Sequence, residues 1–383
     1  MKQLTSVRHF AKQNRSSSRE GKHGTSKKMG IKNLSKFIRT HYKSSAAKLD
    51  LKSLRFKKIA IDTSIFMCKF KATAGDDWLV SFVSMICSFR KLDIHPIFVF
   101  DNGAPPEKSV ERRKRDDAKR KQRERIQKFE QAIEKYHDSH HPCDFLQKEY
   151  DAEMKRDGGA SLLRRDIFRI DVMADKLRRL KKRMFSIKPK DFETLRNLLD
   201  LLGIPWIMAD LEAEKTCVNL IHHGLASAVM SEDTDCLPYK APLFLSKINL
   251  RTMTAEGIRF ETLLENLEFE SDQFIDFCIM CGTDYNDNIP RIGVSKAFDL
   301  MRKYQSIDNL PLDESKVSIL NHKASRRLFK TFKPLPPDKI AKIRFCRGMP
   351  QSIEVAAFLF KHNLPDMTRE IEDAFGRRKF SLV

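Results

Sequence analysis

Three times in this sequence a short apolar run stops at an aspartate: KKIAIDTS at Asp62, HPIFVFDNG at Asp101, and ASAVMSEDTD at Asp233 and Asp235. A carboxylate leaving a strand for a loop occupies the edge where open α/β sheets take their ligands. The Glu212-Ala-Glu214 pair and Asp284, in Gly282-Thr-Asp284, bring the set to seven. Taken singly, each has an ordinary explanation: an aspartate after a strand forms turns, and a glutamate in a first helical turn favours the dipole. Repetition in one polarity, in a chain otherwise rich in basic residues, argues for convergence on one small volume. Carboxylates so gathered repel strongly unless cations neutralise them, and all-oxygen donors select hard ions, magnesium or manganese. Two such ions suit hydrolysis of a phosphodiester, because they acidify a water and offset charge on phosphorus and the leaving oxygen. No Ser, Cys or His nucleophile is then required, and no GxxxxGK[ST] loop is present.

The elements that must position these acids follow from the apolar pattern. The strand KKIAID, a helix from Trp78 to about Leu92 with Trp78, Phe82, Met85, Ile86 and Phe89 on one face, and the strand HPIFVFD make a β-α-β unit. That order predicts a parallel sheet. The pattern resumes with the helix 192–202, the strand Gly203-Ile-Pro-Trp-Ile-Met208 and a helix carrying Glu212 and Glu214. On an established helix, side chains two apart diverge. The two glutamates therefore share a centre only at a helix start, for which Asp210 is the expected N-cap. Residues 105–190 read as an insertion between two halves of one domain. From Lys108 to Lys128 it holds eleven basic and four acidic residues without Gly or Pro, one exposed helix about 30 Å long. Residues 129–190 read as charged and irregular, with a second basic cluster at 178–183. The expected organisation is a disordered basic arm (1–28), a first half-domain (29–130), the charged arch insertion (131–190), a second half (191–305) and a helical C-terminal region (306–383). Helices are expected from Asp284 to about residue 380.

The 383 residues carry 72 Lys+Arg against 51 Asp+Glu, a formal charge of +21, and this excess favours nucleic acid as partner. No apolar run is long enough to span a bilayer, and no secretory signal opens the chain. The eight cysteines are scattered and read as free thiols of a reducing compartment. Cys278-x-x-Cys281 lacks a second pair and reads as two buried residues one helical turn apart; His222-His223 reads as a helix end. Lys108 and Arg115 are seven residues apart and share a helical face. They either grip a phosphate over the acids or belong to a solvated charged helix. In Asn288-Ile-Pro-Arg-Ile-Gly-Val-Ser-Lys-Ala, Gly293 permits a tight turn. Helix-start amides and Lys296 can then meet a phosphate of the backbone, a contact that senses shape rather than bases.

Six motifs, in order, resemble those of the flap endonuclease/XPG family: MGIKNL at 29–34, AIDTS at 60–64, VFDNGAPPEKS at 99–109, LEAEKTC at 211–217, SEDTDCL at 231–237 and CGTDYNDNIPRIG at 281–293. The likeness covers roughly 29–130 and 190–305. It implies a PIN-like α/β nuclease fold with a parallel sheet flanked by helices, a basic helical arch and a helix-hairpin-helix. It implies structure-specific 5′ cleavage of branched DNA (a flap, bubble or junction), with 5′–3′ exonuclease activity as a related outcome. It implies two Mg2+ ions, with Mn2+ substituting, held by Asp62, Asp101, Glu212, Glu214, Asp233, Asp235 and Asp284. Lys108 and Arg115 would activate the phosphate. Gly30, Arg112, Gly282, Gly293 and Lys296 would join them in contacting DNA. Replication, repair or recombination in a nucleus, or a host nucleus for a viral chain, is the implied setting, and the chain is expected to act as a monomer.

The sequence departs from the family in four respects. Twenty-eight residues precede the MGI motif, so either Met29 starts the active form or the arm is routed aside. The family's base-stacking aromatic is absent near Cys68, with Phe66 as the candidate substitute. The 110 residues between Asp101 and Glu212 are long for an arch, and no QxxLxxFF-like sliding-clamp motif is found. Two other readings stand beside this one: a silent binder of branched DNA, and a phosphatase using Asp233-Thr-Asp235.

Overall fold

The computed structural model describes residues 30–156, 168–184, 186–345 and 350–376; the N-terminal arm and Met29 lie outside these. Its centre is a seven-stranded sheet in the order β1-β7-β6-β5-β2-β3-β4. The strands are β1 (Ala47–Asp50), β2 (Lys58–Asp62), β3 (His95–Phe100), β4 (Trp206–Met208), β5 (Ala228–Met230), β6 (Leu243–Asn249) and β7 (Thr254–Arg259). Strands β4, β3, β2, β5 and β6 run parallel, as the β-α-β order predicts. The β6–β7 hairpin and β1 add an antiparallel edge, so the complete sheet is mixed.

Helix α1 (Leu34–His41) precedes β1, and α2 (Thr63–Ala74) and α3 (Trp78–Lys91) join β2 to β3. Next come α4 (Ser109–Ser139), α5 (Asp144–Arg156) and α6 (Ile170–Arg183). Helix α7 (Pro189–Leu201) leads to β4, and α8 (Ala213–His222) joins β4 to β5. Beyond β7 the described chain is helical: α9 (Phe260–Leu267), α10 (Ser271–Cys281), α11 (Val294–Tyr304), α12 (Glu314–Ser318), α13 (His322–Lys330), α14 (Pro337–Phe345), α15 (Ser352–Lys361) and α16 (Thr368–Phe375).

Unbroken apolar strands are what a sheet covered on both faces requires. Along β2, Ile59 and Ile61 enter one core while Ala60 enters the other; along β3, Phe98 and Phe100 oppose Ile97 and Val99. The five apolar side chains expected on one face of α3 are all buried. Within the C-terminal helices, Arg326 on α13 bonds both oxygens of buried Asp276 on α10, each at 2.6 Å.

The chain leaves the sheet after Phe100 and returns in β4, which pairs with β3 itself. Helix α7 packs Leu195, Leu198 and Leu199 into a sheet core, so the stretch from β3 to α7 is an insertion at the sheet's carboxyl edge. It is far from irregular. Helix α4 runs 31 residues, to Ser139, and so spans about 46 Å rather than about 30 Å. With α5 and α6 it encloses a separate small core of Phe129, Ala132, Leu146, Tyr150 and Met173. The apolar residues are too sparse to show a strong period, and the charges that mask them pair across the helices. Arg125 contacts Glu149 at 2.6 Å, and Lys176 lies 3.0 Å from Glu149 and 3.1 Å from Glu153.

Because this core is independent of the sheet, Phe129→Ala should remove about 3–5 kcal/mol from the inserted body alone. Hydrogen exchange should accelerate across α5 and α6 while β2 and β3 keep their protection. Equal loss of protection in the sheet would show that the two cores fold as one.

Candidate active site

The parallel register brings the strand-end acids to one edge: Asp62 faces Val99, two residues before Asp101, and Ile61 faces Met230. Backbone and hydroxyl donors then fix Asp62, Asp101 and Asp233. Ser231 Oγ donates to Asp62 Oδ2 at 2.9 Å, and the Asp233 amide donates to Ser231 Oγ at 3.0 Å. Asp233 caps a short 3-10 turn by accepting from the Asp235 amide at 2.9 Å. Asp101 Oδ1 accepts from the Ala213 amide at 2.8 Å, so an acid from β3 caps the helix that carries Glu214. Glu212 is the N-cap residue of α8, and its neighbour Glu214 lies in the first turn, the one place where both can face a common centre. Asp210 does not take the expected capping place: the turn moves the cap position to Glu212, and Asp210 pairs with Lys339 at 3.0 Å.

Crowding and desolvation show in the acidities. Burial, then the Asp101 carboxylate, push Asp62 up to about 8. Burial pushes Asp233 up to about 6 despite the Asp235 amide and the Lys108 ammonium. Asp235 and Glu214 are raised as well, first by burial and next by Asp233 and Asp62 respectively. Asp284 and Glu212 act on Asp235 in turn, so all seven acids are linked. Lys108 answers them from the turn before α4: burial alone would lower it, yet Glu214, Glu212, Asp235 and Asp284 hold it above the ordinary lysine value. Its ammonium pairs with Glu212 and lies 3.3 Å from Asp284, to which Arg115 Nη2 donates at 2.7 Å. Both cations therefore contact acids of the set. Arg112 is exposed on the same helix.

The N-terminal segment forms one wall. Gly30 has φ +76°, and a Cβ there would lie 2.3 Å from Asp233 Oδ1. The Ile31 amide donates to Thr234 Oγ1 at 3.0 Å and the Lys32 amide to Gly282 O at 3.1 Å. Next to this segment α10, the turn 282–293 and α11 lie together. Gly293 is the N-cap residue of α11 with φ −90°, a conformation open to any residue; the left-handed position in this turn is Arg291. A side chain at Gly293 would meet nothing, so its small size leaves the helix start uncovered. Lys296 is exposed on the first turn.

Other expectations divide. Phe66 is fully buried against Phe70 and cannot stack on a nucleotide; Cys68 is half-buried, within electrostatic reach of Asp62 and Asp101. Cys278 and Cys281 are buried one turn apart, His222 and His223 end α8, and the seven described cysteines are unpaired. Sequence reasoning missed Ser231 and Thr234, which organise the acidic turn, and Tyr285, which donates to Glu212 Oε2 at 2.5 Å. It also missed Asp287, which pairs with Lys114 at 2.8 Å and so ties α4 to the turn after α10. Tyr285 was visible beside Asp284, but only its burial shows that its hydroxyl needs a partner.

The donor set fits hard divalent ions. Both oxygens of Asp235 are buried and lack a hydrogen-bond donor, which is costly for a carboxylate unless a cation faces it. Among the described residues no three His, Cys, Asp or Glu side chains already form a ligand cage, because Glu212 and Asp284 direct oxygens to Lys108 and Arg115.

Raised carboxyl pKa values carry a stability signature. Asp62 and Asp233 hold protons in the folded chain up to about 8 and about 6, whereas unfolded aspartates lose them near about 3.9. Between these limits the unfolded state binds fewer protons, so stability falls as pH rises. In a chelator, the thermal midpoint should fall from about pH 5 to about pH 8, and Asp62→Asn should flatten the upper part of that slope. A midpoint that climbs over this range would contradict the assignment.

Models of the XPG N-terminal domain and the XPG I-region match residues 29–123 and 203–284. A probable RAD2-like endonuclease of Invertebrate iridescent virus 6 is 34% identical over 83% of this chain and 83% of its own length. Flap endonuclease 1 of Enterocytozoon bieneusi is 31% identical, covering 74% and 72%. Flap endonuclease-1 from Methanococcus jannaschii superimposes with a TM-score of 0.56 at 22% identity, over 87% of this chain and 96% of that one. The catalytic core of Rad2 in complex with DNA substrate gives 0.55 at 17% identity, over 90% and 98%. A seven-acid edge on a PIN-like sheet, with matches of this extent, places the chain in the flap endonuclease/XPG family of nucleases.

Proposed function

We propose that the protein is a magnesium-dependent, structure-specific 5′ endonuclease that hydrolyses branched DNA. The observation that carries this reading is the linkage of seven acids with Lys108 and Arg115 at one sheet edge. The seven acids would hold two Mg2+ ions, with Mn2+ as a substitute. When bound, these ions supply positive charge beside the phosphorus and lower the pKa of a water. The chain's own residues do the rest. Asp101 and the Ala213 amide hold the start of α8, so Glu212 and Glu214 keep their aim. Lys108 and Arg115 exchange carboxylate partners for the scissile phosphate and stabilise its growing charge. The uncovered amides at the start of α11, with Lys296, fasten duplex backbone away from the cut. Lys32, Lys114 and Arg112 lie on the surface between these places and add unspecific phosphate attraction.

Flap, bubble or junction ends in 5′ single strand are the substrates this arrangement favours, and DNA replication, repair or recombination in a nucleus is the setting. The phosphatase reading is opposed by Asp233, whose Oδ1 is engaged by the Asp235 amide as a turn cap, and it gives Asp62, Asp101 and the glutamates no task.

Asp233→Ala should lower cleavage of a 5′-labelled flap in Mg2+ by on the order of 10³-fold while flap binding in Ca2+ persists. A variant that cuts at the normal rate removes the site assignment, and a wild-type chain that binds but never cuts is the silent binder. Lys108→Glu with Arg115→Glu should slow single-turnover cleavage about 10²-fold or more and weaken binding far less. Equal losses in rate and affinity would mean that both residues only hold backbone.

A further inference from the structure

Glu212 has two partners of different kinds. Lys108 pairs with Oε1, and Tyr285 donates to Oε2 at 2.5 Å. In the proposed reaction Lys108 leaves for the phosphate, so the tyrosine is what remains to aim Glu212. Tyr285 does not stand alone. Its hydroxyl lies 2.6 Å from the hydroxyl of Tyr239, which is 1% exposed, in the loop between β5 and β6. The direction of this chain is forced. Tyr285 has one hydroxyl proton, the carboxylate is the stronger acceptor, and Tyr239 must therefore donate to Tyr285. A buried hydroxyl without a further task is unfavourable relative to phenylalanine. Here it polarises Tyr285 toward Glu212, as consecutive hydrogen bonds do in a site of low dielectric.

The relay is braced from the C-terminal helices, outside both segments matched by the family models. Phe329 on α13 is fully buried, its ring 5.1 Å from Tyr239 and 5.4 Å from Tyr285. The end of α13 is in turn tied to the helix that carries the glutamates. Lys215 Nζ donates to Leu328 O at 2.9 Å and lies 5.6 Å above the Tyr239 ring, while Asn219 Nδ2 donates to Lys333 O at 2.8 Å. One helix, α8, thus begins at the acids and ends against the brace.

We propose that Tyr239, acting through Tyr285 and braced by Phe329, is a positioning residue that keeps Glu212 aimed at the metal centre when Lys108 transfers to the phosphate. This rests on the reading of Glu212 as a metal-holding acid given above. The C-terminal helices thereby belong to the active site rather than only to the core.

The test compares full-length wild type, Tyr239→Phe, Glu212→Gln and the double variant. Mn2+ binding is followed by electron paramagnetic resonance without DNA, and flap cleavage across a Mg2+ titration. Tyr239→Phe should weaken Mn2+ binding and raise the half-saturating Mg2+ concentration about tenfold, with a near-normal thermal midpoint. In the Glu212→Gln background it should add nothing, because the relay has lost its target. Equal added loss in both backgrounds would mark a general packing effect and overturn the proposal. So would wild-type metal binding and cleavage in Tyr239→Phe beside an impaired Glu212→Gln. Full activity in Glu212→Gln would instead overturn the reading of Glu212 itself.

Discussion

Carboxylates of like charge, withdrawn from water at one edge of a parallel sheet, set the terms for the rest of this molecule. Their mutual repulsion is amplified by burial, which already lifts Asp62 and Asp233 far above the usual aspartate range. Such a group survives only if the surrounding chain supplies donors and positive charge. The donors come from local geometry: the Ser231 hydroxyl and the amides of Ala213 and Asp235. The positive charge comes from Lys108 and Arg115. The same repulsion that endangers the fold is what the divalent ions of the proposed function would relieve.

Three cores divide the labour. The two large ones, one on each face of the sheet, hold the acids with little freedom, and the C-terminal helices are pinned by the Arg326–Asp276 bridge. The small one, in the inserted body, steadies the far end of α4 and its basic surface. Helix α4 joins them: its first turns contact the acids, and its last turns pack in the small core. Lys114 on this helix and Asp287 beyond α10 form a further tie, a contact between exposed charges that costs little to break.

Much of this was legible along the chain. Strand ends, the buried face of α3, the insertion between half-domains and the seven acids all follow from short-range pattern, because a strand's polarity and a helix's period are written locally. The XPG-type motifs added a family and an order. Less legible were features whose pattern is diluted. Two inserted helices, and the second half of the one expected, hide behind charges that pair only after folding, and an antiparallel hairpin edges a sheet that the β-α-β order alone describes as parallel. Phe66 read as an available ring, whereas the packing of α2 turns it inward.

The sequence by itself determined which residues could meet, since residue type and local period specify the acids, the strands that present them and the positive charge nearby. Only the tertiary structure decided how they meet. It made Glu212 rather than Asp210 the cap position and set Gly30 against Asp233, where no side chain fits. It also led Phe329, from a region that carries no acid of the set, to the two tyrosines behind Glu212. The reason is that hydrogen-bond partners and excluded volume depend on distances between segments far apart in the chain, and those distances exist only once the cores have closed.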